Sequence, residues 1–183
     1  MLEGMIIVKS FMKEWGSYII IVIAIILLRS YIITPVIVRG DSMYDTLEDG
    51  EVLILSKISY RIHDIKRFDV LVIKDKNREY IIKRVIGLPG DTIEYKDDVL
   101  YINGKEYKKR FTKDKTEDFT LEDICKINDD DCDGTIPDDM YLVLGDNRDV
   151  SADSRVKGLI KKDQIIGKTI FRIWPLTRLN IVK

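Results

Sequence analysis

A chain of 183 residues, 45% of them hydrophobic, can bury one core of ordinary size and is too short for more than two domains. Its 30 Lys and Arg against 31 Asp and Glu leave a net charge of -1, which supplies no basic field, so no nucleic-acid partner is expected. Two cysteines are too few for a disulfide scaffold or a four-thiolate zinc site, and one histidine cannot make the usual zinc-protease ligand sets.

From Trp15 to Ile33 the chain is almost wholly apolar, with Tyr18 to Leu28 free of charge and Arg29 as the first interruption. Nineteen residues at the helical rise span about 28 Å, close to the hydrocarbon thickness of a bilayer of roughly 30 Å. Arg29 lies near one end, where its stem can carry the charge to the headgroups. A cleavable signal peptide would have a shorter apolar region followed by small residues, which Tyr31 to Val38 does not supply. The pattern predicts a transmembrane anchor over 15–34, a short cytoplasmic segment 1–14, and a domain over 35–183 outside the cytoplasm. Lys9 and Lys13 before the span set that orientation, because Glu3 and Glu14 count little.

Pro35 is read as the end of the helix, and β punctuation follows it. Strands are expected at Val52 to Leu55, Val70 to Ile73, Tyr80 to Ile82, Val99 to Ile102, Tyr141 to Leu144 and Ile165 to Ile173. Asn103-Gly104 before Lys105-Glu106-Tyr107 is a two-residue hairpin signal. The fold class expected is therefore mainly β. Between Lys108 and Asp139 the texture becomes charged and irregular, which reads as an insertion on the β core. Its acidic run Asn128 to Asp133 lacks the glutamate a calcium loop needs, since the twelfth position from Asp129 is Met140. Cys125 and Cys132 lie close together in it. In an exported loop that spacing suits a disulfide, the alternative being two free thiols.

Four constellations carry the chemistry. Gly40-Asp41-Ser42-Met43 alone is more often a turn than a nucleophile, and Arg67-Phe68-Asp69-Val70 alone is a charged strand entry. In Lys83-Arg84-Val85-Ile86-Gly87-Leu88-Pro89-Gly90-Asp91, strand alternation puts Lys83 on one face with Ile81 and Val85. Burial there would depress its pKa and free a neutral amine as base; the alternative is a solvated Lys83-Arg84 pair at a strand end. Gly145-Asp146-Asn147-Arg148-Asp149-Val150-Ser151-Ala152-Asp153-Ser154-Arg155 offers charges and hydroxyls able to orient a buried amine, or else a turn with exposed salt bridges.

The apolar span, the Ser42-Met43 pair after it and the last two runs, in this order, resemble the bacterial type I signal peptidase (leader peptidase) family, which works with a Ser/Lys dyad. The resemblance covers the chain from the anchor to Arg155 apart from the charged segment. It implies a signal-peptidase-like β catalytic domain that cuts exported pre-proteins after small-x-small sites. It implies Ser42 as nucleophile, with Met43 packed beside it, and Lys83 as general base. Ser151 matches the hydroxyl that hydrogen-bonds the lysine, and Gly145 the glycine that leaves it room. Asp146, Asp153 and Arg155 match residues whose paired charges hold the site. Pre-protein signal peptides and the lipid bilayer are the implied partners, and no cofactor or metal is needed. From Thr34 an extended chain reaches Ser42 within about 29 Å, which keeps the nucleophile near the bilayer surface.

Three positions depart from the family pattern: Asp45 where Pro is usual, Phe68 where Gly is usual, and Gly40 where some members carry a hydroxyl for the oxyanion hole, which leaves that task to backbone N–H groups such as that of Ser42. A Ser-His-Asp triad would have to use His63, outside every motif. A non-catalytic relative that binds signal peptides would keep the fold. A Ser/Lys autoprotease of the repressor kind would carry a DNA-binding domain in place of the apolar span.

Overall fold

Runs of β-branched residues broken by Gly, Asn and Asp turns fold into short antiparallel strands. The structure is a computed structural model describing residues 15–27, 29, 32–59, 63–76, 78–108, 111–112 and 114–182. In chain order the strands are β1 (Ile33–Ile37), β2 (Val52–Ser56), β3 (Val70–Lys74), β4 (Tyr80–Gly87), β5 (Ile93–Lys96), β6 (Val99–Ile102), β7 (Lys105–Tyr107), β8 (Phe119–Thr120), β9 (Met140–Leu144), β10 (Ile160–Lys161), β11 (Ile165–Trp174) and β12 (Asn180–Ile181). Two short helices, α1 (Leu121–Lys126) and α2 (Ser154–Lys157), accompany them. The larger sheet is ordered β1-β2-β11-β3-β4-β9-β10 with β12 on β11, and the smaller β7-β6-β5-β8.

Each run read as a strand is one, and the Asn103-Gly104 hairpin joins β6 to β7 with Ile102 opposite Lys105. Both turn residues have positive φ, 52° and 72°, which suits the right-handed twist of the strands. The β5–β6 turn does the same with Asp97-Asp98, at 51° and 63°.

Pro35 does not end a helix. It sits inside β1 opposite Ile54, on an edge strand where a missing N–H costs no ladder bond. Ile33 and Thr34, the last two residues of the expected anchor, thus belong to the sheet, paired with Ser56 and Leu55. Upstream, residues 15–27 are helical. Tyr18, Ile19, Ile20, Ile21, Val22, Ile23, Ile25, Ile26 and Leu27 are exposed, apolar on every side. Among the described residues no helix is long and apolar enough to cross a membrane; residues 1–14, 28, 30 and 31, on which the rest of that expectation falls, lie outside them.

The segment 108–139 is not an appendage. Phe119, Leu121, Ile124, Cys125 and Ile136 are buried with Ile86, Ile93, Leu100, Leu142 and Leu144 in the core between the sheets. Ile136 fills the space a Cβ on Gly87 would need. At about 1.5–3 kcal/mol for each large apolar side chain buried, such a segment contributes to folding as a strand pair would. Thr120 caps α1 in a reciprocal capping box with Asp123. Cys125 and Cys132 form the expected disulfide, closing the loop behind α1.

β4 lies between β3 and β9 and is covered on both faces from Lys83 to Gly87. Val85 packs with Leu71, Ile73 and Val143, while Ile86 faces the core between the sheets. Lys83 and Arg84 are therefore carried into the interior by apolar neighbours on either side.

Candidate active site

Ser42 sits in a tight turn between β1 and β2. The turn is closed by Tyr44 N donating to Asp41 O at 3.0 Å, Thr46 N to Met43 O at 3.1 Å and Leu47 N to Met43 O at 2.7 Å. Met43 and Leu47 anchor it from below, buried with Val38, Leu53 and Val70. Ser42 itself is half-buried. Gly40 has a φ of 77°, and its N–H donates to Asp49 Oδ1 at 2.8 Å.

A second segment, 145–155, is stitched to that turn. Asn147 N donates to Ser42 O at 3.1 Å. A Cβ on Gly145 would overlap Ser151 Oγ and come within 2.5 Å of Ser42 O. Gly145 is needed, but the room it leaves is for Ser42 and Ser151, and Lys83 is not among the nearest atoms. Its N–H donates to Asp153 Oδ2 at 2.9 Å. Asp153, 1% exposed, also accepts from Arg155 through both carboxylate oxygens, at 3.0 Å each, and caps α2. Arg155 reaches on to Arg148 O at 2.7 Å.

Lys83 is 3% exposed, and no ion pair among the described residues includes it. Burial pulls its amine from 10.5 down to about 8; Asp153 draws it back up, Lys157 and Arg155 push it further down, and Asp146 raises it. The solvated-pair alternative for Lys83 and Arg84 fails, because Arg84 is buried completely. Arg84 forms a two-pronged pair with Asp146, Nε to Oδ1 at 2.8 Å and Nη2 to Oδ2 at 2.6 Å. Ser151 Oγ is buried and has no hydrogen-bond partner among the described residues. The Ser151 to Lys83 bond implied by the resemblance is therefore not made in this structure, although the hydroxyl is available for it.

Both turn departures take left-handed backbone, Asp45 at a φ of 79° and Phe68 at 70°. Proline, fixed near -65°, has no access to the Asp45 conformation. At Phe68 the conformation costs about 1–2 kcal/mol. The ring offsets this by stacking on Tyr107 at 5.0 Å and Phe111 at 4.5 Å, and Arg84 lies 4.3 Å over Phe111 while donating to Phe68 O. Sequence reading missed the braces of the site. Arg148 donates to Gly145 O, Thr116 Oγ1 and Tyr95 Oη, and Glu51, 2% exposed, pairs with Arg172 and Arg178. Arg148 stands within a motif and was legible as a candidate; Glu51 and Arg172 are far apart in sequence and carry no pattern. His63 is exposed, away from these residues' hydrogen bonds.

A buried amine on β4 with a lowered pKa, and a serine turn strapped to the segment 145–155 whose charges act on that amine, make up the candidate site, and comparison with known proteins gives its family. The model of the family "Signal peptidase, peptidase S26" matches residues 12–174. A signal peptidase I of Bacillus caldolyticus is 42% identical, over 89% of this chain and 91% of the relative. A signal peptidase IB of Staphylococcus aureus is 39% identical, over 92% and 93%. A crystal structure of a signal peptidase I from Enterococcus faecalis matches with a TM-score of 0.50 at 38% identity, covering 58% of this chain and 97% of that one. The chain belongs to the signal peptidase family, peptidase S26, and is an enzyme of that family.

Proposed function

We propose that the protein is a membrane-anchored endopeptidase that removes signal peptides from exported pre-proteins, with Ser42 as nucleophile and Lys83 as general base. The observation that carries this is Lys83: a buried amine, brought down to about 8, within reach of the charges of the segment that touches Ser42. Neutral Lys83 takes the Ser42 hydroxyl proton as Oγ attacks the scissile carbonyl. Backbone N–H groups, that of Ser42 included, hold the developing oxyanion. The Lys83 ammonium then gives its proton to the leaving amine of the mature protein, which departs. Lys83, neutral again, draws a proton from water, whose oxygen attacks the signal-peptide ester; as the ester C–O bond breaks the Lys83 ammonium returns the proton to Ser42 Oγ, and the signal peptide leaves with a free C-terminal carboxyl group. Ser151 Oγ, buried and without a hydrogen-bond partner among the described residues, is the hydroxyl that accepts from the Lys83 amine in this reading. Asp146, Asp153 and Arg155 hold the segment that carries it, and Gly145 lets that segment lie against Ser42.

The anchor runs from Trp15 to the start of β1, with 1–14 cytoplasmic and the β domain on the extracytoplasmic side. Three features support this placement. The helix over 15–27 is apolar all round, as befits lipid and not water. In register across β1, β2 and β11, Ile37, Val52 and Trp174 form one row and Pro35, Ile54 and Phe171 the next. Leu176, Leu179 and Ile181 are also exposed, an apolar surface suited to resting on a bilayer. The Cys125–Cys132 disulfide belongs to an oxidising compartment.

Detergent-solubilised protein incubated with a purified pre-protein should release a mature chain whose new N-terminus follows a small-x-small site, and Ser42→Ala should leave the pre-protein intact. Binding without cleavage by the wild type would favour the non-catalytic alternative.

A further inference from the structure

Thr46 stands four residues after Ser42, and each of its polar groups is held by a different part of the chain. Its N–H closes the turn onto Met43 O. Its hydroxyl donates to Asp146 Oδ2 at 2.5 Å and accepts from Arg84 Nη2 at 3.3 Å. Its carbonyl accepts from Arg172 Nη1 at 3.1 Å, and the same nitrogen donates to both Glu51 oxygens, at 2.9 and 2.8 Å. Glu51 is almost fully buried and is gripped a second time by Arg178 Nη1 at 2.9 Å. Two buried ion pairs, Arg84–Asp146 and Glu51–Arg172, therefore converge on one threonine from opposite ends.

Neither pair has an evident role in proton transfer, and burying four charges to make them is costly unless each remaining lone pair and proton is satisfied. Thr46 satisfies one from each. We propose that Thr46 is a positioning residue for Ser42: the two ion pairs clamp the far end of the nucleophile turn and thereby set the approach of Ser42 Oγ to Lys83. This rests on the reading of Ser42 as nucleophile. The near end of the turn is held by single bonds, Asn147 N to Ser42 O, Tyr44 N to Asp41 O and Gly40 N to Asp49 Oδ1, whereas Thr46 ties the far end to two buried ion pairs at once. Attack geometry tolerates little slack, a misplacement of 1 Å costing about 10²-fold.

Removing only the Thr46 hydroxyl leaves the Arg84–Asp146 pair intact through its two direct bonds, so the turn is loosened while the pair stays in place. The test compares wild type, Thr46→Val, Thr46→Ser and Ser42→Ala, full chain in detergent, for kcat, KM, the pH midpoint of kcat/KM and the thermal unfolding midpoint. Thr46→Val is expected to lower kcat about tenfold or more with KM within about twofold, because ground-state binding of substrate is untouched. Its pH midpoint stays at the wild-type value, since no charge near Lys83 has changed. Thr46→Ser, which restores the hydroxyl, recovers most of kcat. Wild-type kcat in Thr46→Val overturns the proposal, as does a shifted pH midpoint or a Thr46→Ser no better than the valine variant. Loss of folding in Thr46→Val alongside full activity in Thr46→Ser also overturns it, by making the role structural. Wild-type activity in Ser42→Ala would remove the nucleophile reading itself and this proposal with it.

Discussion

Replacing Lys83 with methionine tests the pKa on which the mechanism depends, through stability and without any substrate. In the folded chain the amine titrates at about 8; once unfolded it returns to 10.5. The unfolded state thus holds the proton more tightly, and stability rises with pH between those two values. At pH 7, where the folded amine is still about nine-tenths charged, the buried ammonium costs about 3 kcal/mol. By pH 9.5 the remaining cost is about 1 kcal/mol. Methionine fills the same pocket with a stem of similar length and has no proton to lose. Urea unfolding followed by tryptophan fluorescence should find Lys83→Met more stable than wild type by about 3 kcal/mol at pH 7, narrowing by about 2 kcal/mol at pH 9.5. Taking the difference between the two proteins cancels every other titrating group. A difference that does not change with pH, or a wild type more stable than the variant at pH 7, would refute the depressed pKa. The same titration sets activity: kcat/KM should climb about tenfold from pH 7 to 9, as the neutral fraction does.

Gly145→Ala should abolish pre-protein cleavage and cost about 1–3 kcal/mol, because the new methyl would overlap Ser151 and crowd Ser42 O; a thermal shift assay beside the cleavage assay checks both. Cys125→Ser with Cys132→Ser should lower stability by about 2–3 kcal/mol, the chain-entropy value for a loop of separation 7, as read by urea unfolding. Because that loop lies behind α1 and not in the nucleophile turn, kcat at low temperature should change less than twofold.

The strands were legible where the chain alternates or runs β-branched, and Asn103-Gly104 marked its hairpin through backbone chemistry alone. Lys83 was legible in part, since alternation with Ile81 and Val85 placed it on a face that proves buried. β1 was hidden because its apolar residues continue the run of the helix before it and Pro35 looks like a stop; only pairing with β2 turns it into an edge strand. Segment 108–139 looked external because charge dominates its composition, yet a few well-spaced residues, Phe119, Leu121, Ile124 and Ile136, are enough to fix it in the core. Phe68 looked like a defect where glycine is usual, and its compensation comes from Tyr107 and Phe111, 39 and 43 residues further along the chain. Glu51 and Arg172 lie 121 residues apart, and no local pattern links them.

The most direct test of the central claim is to catch the covalent intermediate. Enzyme quenched in acid during turnover of a pre-protein, digested and examined by mass spectrometry, should carry the signal peptide as an ester on the peptide containing Ser42, released by hydroxylamine and missing from Ser42→Ala. An adduct on any other residue, or a Ser42→Ala variant that processes pre-protein at the wild-type rate, would contradict it.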